Sequence, residues 1–265
     1  MKNLLIYMHP RKDFDDEGKI AIKIQIDNSL DLGWKREDIM LVTNFPYEYR
    51  GIKSLVVPDD NYCSFFPQAS KNNPIVYLFE KGLVKNGELW WSHDLDAFQL
   101  CEITESELEM DNKTDILLPV GRLPRWSTGS FFFKNSSRDI FNWTKDIMYK
   151  YEVDDEDALW ILTGHGISTY EEPVTWIKGY TSDEIPEIKN INERFKKINI
   201  SYNFRVCNSH WNIRSIYKMA LKPIRVVHFH LSKRELDFFM YGKNKINTVL
   251  MPERLTKIFN RHGIS

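Results

Sequence analysis

Short apolar runs alternate with stretches of helical length along the first half of this chain, and that alternation restricts its fold more than any other feature. Leu4–Met8 reads as a first strand. Ile20–Leu32 carries apolar residues at Ile20, Ile24, Ile26 and Leu30 and stops at Gly33, which predicts a helix. Asp38–Phe45, with Ile-Met-Leu-Val-Thr-Asn inside it, and Ile52–Val57 predict two further strands. Pro67–Val84 predicts a second helix, kinked or begun at Pro74. After the turn Lys85-Asn86-Gly87, Glu88–Ser92 predicts a strand that delivers His93-Asp94-Leu95-Asp96 at its carboxyl end. This order belongs to an open α/β sheet, whose ligands gather at the carboxyl ends of its strands.

The second half continues the pattern less regularly. Residues 102–114 are acidic and polar, as in a solvated loop, and Ile116–Val120 and Ser130–Phe133 read as strands. Ser136 or Ser137 can cap a helix running to Tyr149, and Asp154-Asp155-Glu156-Asp157 opens another over Ala158–Leu162, with acids where the helix dipole favours them. Residues 164–200 are polar and give no clear element. Tyr202–Val206 and Ile224–Phe229 predict late strands, and Glu235 onward a helical tail. A length of 265 residues and 42% hydrophobic content suit one α/β domain over 1–234, with 235–265 as a helical extension packed on it.

Thirty-six basic side chains against 37 acidic ones leave a net charge of −1, so no global field draws the chain to nucleic acid or anionic membranes; a local basic patch stays open. Cys63, Cys101 and Cys207 are isolated and odd in number, which excludes zinc-type spacing and fits reduced thiols in the cytoplasm. No apolar run reaches the roughly 18 residues that span a bilayer. The opening Met1–His9 is too short for a signal peptide, so a cytoplasmic location is expected.

Four segments carry candidate chemistry. On an extended chain Asp94 and Asp96 point the same way, and hard oxygen ligands at that spacing suit Mg²⁺ or Mn²⁺ bridging two phosphates. Asp-x-Asp alone is more often a solvated turn; Trp90 and Trp91 in the strand before it raise its weight. His228 or His230, both on one side of a late strand, can add an imidazole to a metal, and Lys233 can meet a diphosphate as a point charge; carbonyl-satisfied histidines are an equal alternative. Asp155 or Asp157 can hold or deprotonate a hydroxyl, although four adjacent acids more often form a solvated cap. Between Gly121 and Asn135, Gly129 permits close backbone approach, Trp126 can stack on a sugar, and Arg122 and Arg125 can pair with phosphate; the plain alternative is a loop between strands.

In this order the segments resemble the GT-A-type glycosyltransferases of the nucleotide-diphosphosugar transferase superfamily. Trp91-Ser92-His93-Asp94-Leu95-Asp96 resembles their DxD strand end, and Ser127–Ser136 resembles "NTGxFlfkNS". Asp155–Trp160 is similar to "DqxaLn", and Lys222–Phe229 to a closing "vvHf". The opening Leu-Leu-Ile-Tyr-Met-His and Asp31–Ile39 also resemble the capsid-glycosylating domains of large algal DNA viruses, for which the location would be the host cytoplasm. The resemblance implies a mixed, mostly parallel sheet flanked by helices. It implies Asp96 as main metal ligand, Asp94 near ribose or metal, and His228 completing the shell. Tyr7, His9, Thr43 and Asn44 would border the nucleotide, with Asp155 or, less favoured, Asp157 facing the acceptor beside Trp126 and Gly129. The glycine-rich "HxxGxxKPW" run of the family is missing after His228, which leaves Lys233 and the choice of histidine open.

The expected activity is transfer of a sugar from a nucleotide-diphosphate donor, a UDP-sugar by preference, to a hydroxyl of a glycan or glycoprotein, with Mn²⁺ or Mg²⁺. A nucleotidyltransferase shares the architecture but usually carries a glycine-rich loop after the first strand, where this chain has no glycine before Gly18. A non-catalytic carbohydrate-binding or assembly protein is the third reading, and a nucleic-acid partner is disfavoured.

Overall fold

The computed structural model describes residues 1–119, 126–163, 167–168, 173–174, 191–206, 213–231, 236 and 245–264. Each apolar run of the first half becomes a strand. They are β1 (Lys2–Tyr7), β2 (Ile39–Thr43), a short β3 (Glu48–Tyr49), β4 (Ile52–Val56) and β5 (Leu89–His93). Between β1 and β2 runs α1 (Asp16–Asp31); before β5 lies α2 (Asn72–Glu80). The second half adds β6 (Ala97–Gln99), β7 (Ile116–Pro119), β8 (Ser130–Lys134), α3 (Arg138–Tyr151) and α4 (Asp155–Leu162). It closes with a small hairpin β9 (Ile167–Ser168) and β10 (Pro173–Val174), then β11 (Phe195–Ile198), β12 (Phe204–Arg205), α5 (Ile213–Met219), β13 (Val226–His228), α6 (Lys245–Leu250) and α7 (Glu253–Arg261).

Eight strands form one sheet in the order β11-β7-β8-β5-β1-β2-β4-β3. The β1–β2, β1–β5, β2–β4 and β7–β11 pairs are parallel, whereas β8 runs antiparallel between β5 and β7. Sequential parallel neighbours β1 and β2 need a crossover, which α1 supplies on one face, with Ile22 and Ile26 buried against Leu5 and Leu41. The other face is covered by α2, α3 and α4, burying Trp90, Phe131, Phe133, Ile140 and Ile147. The α/β class expected from the alternation is the one observed.

Several local expectations change. Helix α1 starts four residues before Ile20, because Asp15 accepts the Gly18 N–H and caps it there, and it ends at Gly33 with φ +89°. Pro74 lies in the first turn of α2, where its missing N–H costs nothing, so it marks a start and makes no kink. Ser137 gives α3 no side-chain cap; its hydroxyl donates to the Lys134 carbonyl instead. The acidic stretch 102–114 buries Ile103 and Leu108 under the sheet, so it is anchored and not merely solvated.

A second sheet, β12-β13-β6, sits across the carboxyl end of β5. Strand β6 begins directly after Asp96 and pairs antiparallel with β13, setting His228 opposite Ala97. Below it, Phe98, Val227 and Phe229 pack with Leu255, Ile258 and Phe259 of α7, which fixes the C-terminal helix to α1.

Candidate metal and donor site

The two sheets meet where β5 ends, and that junction gathers the candidate ligands. Asp94-Leu95-Asp96 is a turn, closed by the Ala97 N–H on the Asp94 carbonyl at 3.0 Å. The two carboxylates therefore converge because the chain folds back into β6, not through the side-chain alternation of a continuing strand. Pairing of β6 with β13 brings His228 Nε2 to 3.0 Å from Asp96 Oδ1 and 3.8 Å from Asp94 Oδ2. One ligand atom from each of these three residues lies within 4.8 Å of the others.

His228 is held from behind. Asn203 spends its amide N–H on the Ser127 hydroxyl at 2.8 Å, so its Oδ1 faces His228 Nδ1 at 3.0 Å. Nδ1 must then carry a proton, and Nε2 points at the two aspartates, the arrangement that orients an imidazole for a metal. Two carboxylates and an oriented imidazole fit a Mn²⁺ or Mg²⁺ ion that completes its shell with substrate oxygens. Burial alone would raise the Asp96 carboxyl, but His228 and His230 outweigh it and hold the group well below the usual range. His230 is half exposed and meets Asp96 Oδ2 through Nδ1 at 3.1 Å. Between the two histidines left open by spacing, the three-residue cluster contains the buried His228, and His230 stands outside it against the same carboxylate.

Gly129 packs against this assembly. A Cβ there would lie 2.5 Å from His228 Nδ1 and 2.9 Å from Asn203 Nδ2, so only glycine leaves room for both. The close approach expected at Gly129 is made by the imidazole. Gly129→Ala is accordingly expected to weaken Mn²⁺ binding by about 10–100-fold, as loss of an orienting partner does, checked by calorimetric titration of the metal.

Lys71 was not indicated by any sequence motif, and it joins the halves of the site. It ends a short 3₁₀ turn before α2, and its buried ammonium donates to Asp94 Oδ1 at 2.7 Å and to the Thr128 carbonyl at 3.0 Å. It lies 3.5 Å from Asp155 Oδ2. Burial opposes the charge on Lys71, yet Asp155 and Asp94 overcome it and hold the ammonium above its ordinary value. Asp155 is the first residue of α4, whose cap is Asp154 on the Asp157 N–H at 2.7 Å. Burial pushes the Asp155 carboxyl up to about 6, with Lys71 acting against the rise. Of the two candidate acids, Asp155 is the one in contact with the lysine that grips Asp94.

Asp94 and Lys71 line a cleft of about 470 Å³ together with Tyr7, His9, Tyr62 and Gln68, within the usual range for a small-molecule site. The Tyr7 ring lies over α1, where a Cβ on Gly18 would come 2.3 Å from Cε2. Its hydroxyl accepts the Asp15 N–H, and burial pushes it up to about 12. Asn44 does not line the cleft; it accepts the His9 N–H at 3.1 Å and donates to the His9 carbonyl at 2.9 Å, fixing the loop that does. Thr43 is fully buried, with its hydroxyl on the Phe45 carbonyl, so it has no face for a nucleotide. Trp126 is also corrected: its indole is buried on Phe195 and donates to Thr163 Oγ1 at 3.1 Å, which removes it as a stacking platform. Lys233, Arg122 and Arg125 lie outside the described residues.

No protein-family model matches this chain, and no curated protein does. Solved structures do. The galactosyltransferase LgtC, in complex with donor and acceptor sugar analogues, superposes with a TM-score of 0.54 at 10% identity, over 98% of this chain and 96% of LgtC. The glycosyltransferase GlyE of Streptococcus pneumoniae TIGR4 gives 0.55 at 12% identity, over 98% of this chain and 63% of GlyE. A glycosyltransferase involved in glycosylation of the major capsid of PBCV-1 aligns over 100% of both chains at 12% identity, with a TM-score of 0.49. The LgtC and GlyE superpositions show the fold: it is the GT-A fold of these glycosyltransferases.

Proposed function

We propose that this chain is a glycosyltransferase that moves a sugar from a nucleotide-diphosphate donor to an acceptor hydroxyl. The observation that carries the reading is the convergence of Asp94, Asp96 and His228, with Asp94 also lining the cleft, on a fold shared with sugar transferases. Those three residues would hold a divalent cation, Mn²⁺ or Mg²⁺. Bound there, the cation would act as a Lewis acid for the charge on a leaving diphosphate. The chain's own groups divide the remaining work. Tyr7 and His9 would wall the nucleotide. Lys71 fixes Asp94 and, through its second contact, the orientation of Asp155. Asp155 would face the transferred sugar or the acceptor hydroxyl and hold or accept a proton there. A uridine donor and a glycan or glycoprotein acceptor are the preferred substrates.

A panel of sugar nucleotides assayed for Mn²⁺-dependent release of nucleoside diphosphate tests the reading without an acceptor. Slow release from one or a few donors is expected; no release from any, together with no Mn²⁺-dependent donor binding, removes it. Nucleoside triphosphate plus sugar phosphate should yield no pyrophosphate.

The position of Asp155 predicts a pH profile. Its carboxyl titrates near 6, so the ionised form dominates above that pH and is lost below it. A base or an orienting carboxylate is needed in its ionised form, so kcat/KM should fall tenfold per pH unit on the acid side of about 6. Asp155→Asn should remove most of the activity, and with it the acid limb. A limb that persists in that variant assigns it to another group.

A further inference from the structure

Between Phe195 and Arg234 the chain has nine Lys or Arg residues and no Asp or Glu, although its overall charge is −1. Part of that charge is paired: Arg225 with Glu107, Arg205 with Glu156, Lys196 with Glu109, and Lys197 over the Trp126 ring. Among the described residues, the rest collects at one tip. Arg214 and Lys218 lie one turn apart on α5, both exposed, and neither has an ion pair among the described residues. Lys222 follows, its ammonium folded back on the Tyr217 and Ala220 carbonyls over the Tyr217 ring.

The same tip carries two large apolar side chains with no cover. Met219 is 72% exposed and Leu221 66%, far beyond any other large hydrophobic residue described. Neither is a frayed end. Ile213, Ala220 and Ile224 beneath them are buried in the α7 core, and the Leu221 N–H is bonded to Asn199 Oδ1 at 2.9 Å. Exposed apolar side chains adjoining cations are the pattern that inserts shallowly into a bilayer interface while the charges meet anionic headgroups.

We propose that this tip, Arg214 to Pro223, docks the protein on an anionic lipid surface. Nucleic acid fits it less well: single strands are held by aromatic platforms in a basic groove, and Met219 and Leu221 offer no ring to a base. Among the described residues no helix is long and apolar enough to cross a membrane, so the contact would be peripheral. The inference does not depend on sugar transfer, and none of its residues belongs to the site above.

The test is co-sedimentation of the full chain with vesicles of phosphatidylcholine alone and of phosphatidylcholine mixed with phosphatidylglycerol. Binding to the mixed vesicles only, released by added salt, is expected. Arg214→Glu with Lys218→Glu should lower the partition by at least roughly thirtyfold, about fivefold for each positive charge lost. Met219→Ser with Leu221→Ser should also lower it, and both double variants should keep the wild-type thermal unfolding and circular dichroism. If the wild type stays in solution with mixed vesicles at low salt, or if folded variants bind as it does, the proposal is overturned. Retention of a single-stranded oligonucleotide without vesicle binding overturns it equally.

Discussion

Replacing Asp96 by asparagine is expected to lower Mn²⁺-dependent release of nucleoside diphosphate by about three orders of magnitude or more. The expectation follows from where Asp96 stands. One oxygen faces His228 Nε2 at 3.0 Å and the other faces His230 Nδ1 at 3.1 Å, so its carboxylate is shared by both imidazoles that border the site. An amide keeps the shape but removes the negative charge, and one amide edge presents N–H donors where a cation needs an oxygen. A Lewis acid supplies several kcal/mol to the stabilisation of a leaving phosphate, and each 1.36 kcal/mol is about a factor of ten in rate. His228→Ala should fall in the same direction, because it removes a ligand while leaving both carboxylates. Thermal unfolding with and without Mn²⁺ gives the independent reading: the wild type should be stabilised by the ion, by an amount that grows with the logarithm of its concentration above Kd, and Asp96→Asn should not. A variant that hydrolyses the donor at the wild-type rate would take the metal away from this residue.

The parts of the site that were legible in the sequence are those that strand periodicity can place. A buried strand ending in Asp-x-Asp needs only local pattern, and β5 ends at His93, directly before Asp94. Gly129 was legible as a place of close approach, though the approaching group, His228, was not. What stayed hidden depends on contacts far apart in the chain. Strand β6 is three residues long and reads as loop, yet its pairing with β13 is what carries His228 to Asp96. Burial was the other blind spot. Trp126 and Thr43 are chemically able to bind a sugar or a nucleotide, and only the fold shows that Phe195 covers one and the Phe45 carbonyl occupies the other. Lys71 lies in Gln-Ala-Ser-Lys-Asn-Asn-Pro, which looks like any polar helix start; its importance comes from two carboxylates supplied by the turn after β5 and by α4.

That lysine gives the second large effect. Lys71→Met should reduce activity by roughly two orders of magnitude or more, through loss of the contact that fixes both Asp94 and Asp155. It should also destabilise the fold, since removing one partner of a buried ion pair costs up to about 3–5 kcal/mol, less here because Asp94 is 30% exposed. The pH dependence separates this from a simple packing defect. In the wild type Lys71 works against the burial that raises Asp155; without it the Asp155 carboxyl must rise further above about 6. At pH 8 the variant then carries Asp155 either as an uncompensated buried charge or as an acid protonated at a cost. At pH 5 Asp155 is largely neutral in both proteins, so its part of the attraction to Lys71 is absent from both. The gap in unfolding free energy between wild type and Lys71→Met should therefore be larger at pH 8 than at pH 5, and the acid limb of any residual activity should move to higher pH. Lys71→Arg, which keeps the charge on a different shape, should restore much of the stability and less of the activity. Equal destabilisation at both pH values would mean that Lys71 serves Asp94 alone, and that the coupling to Asp155 is not felt.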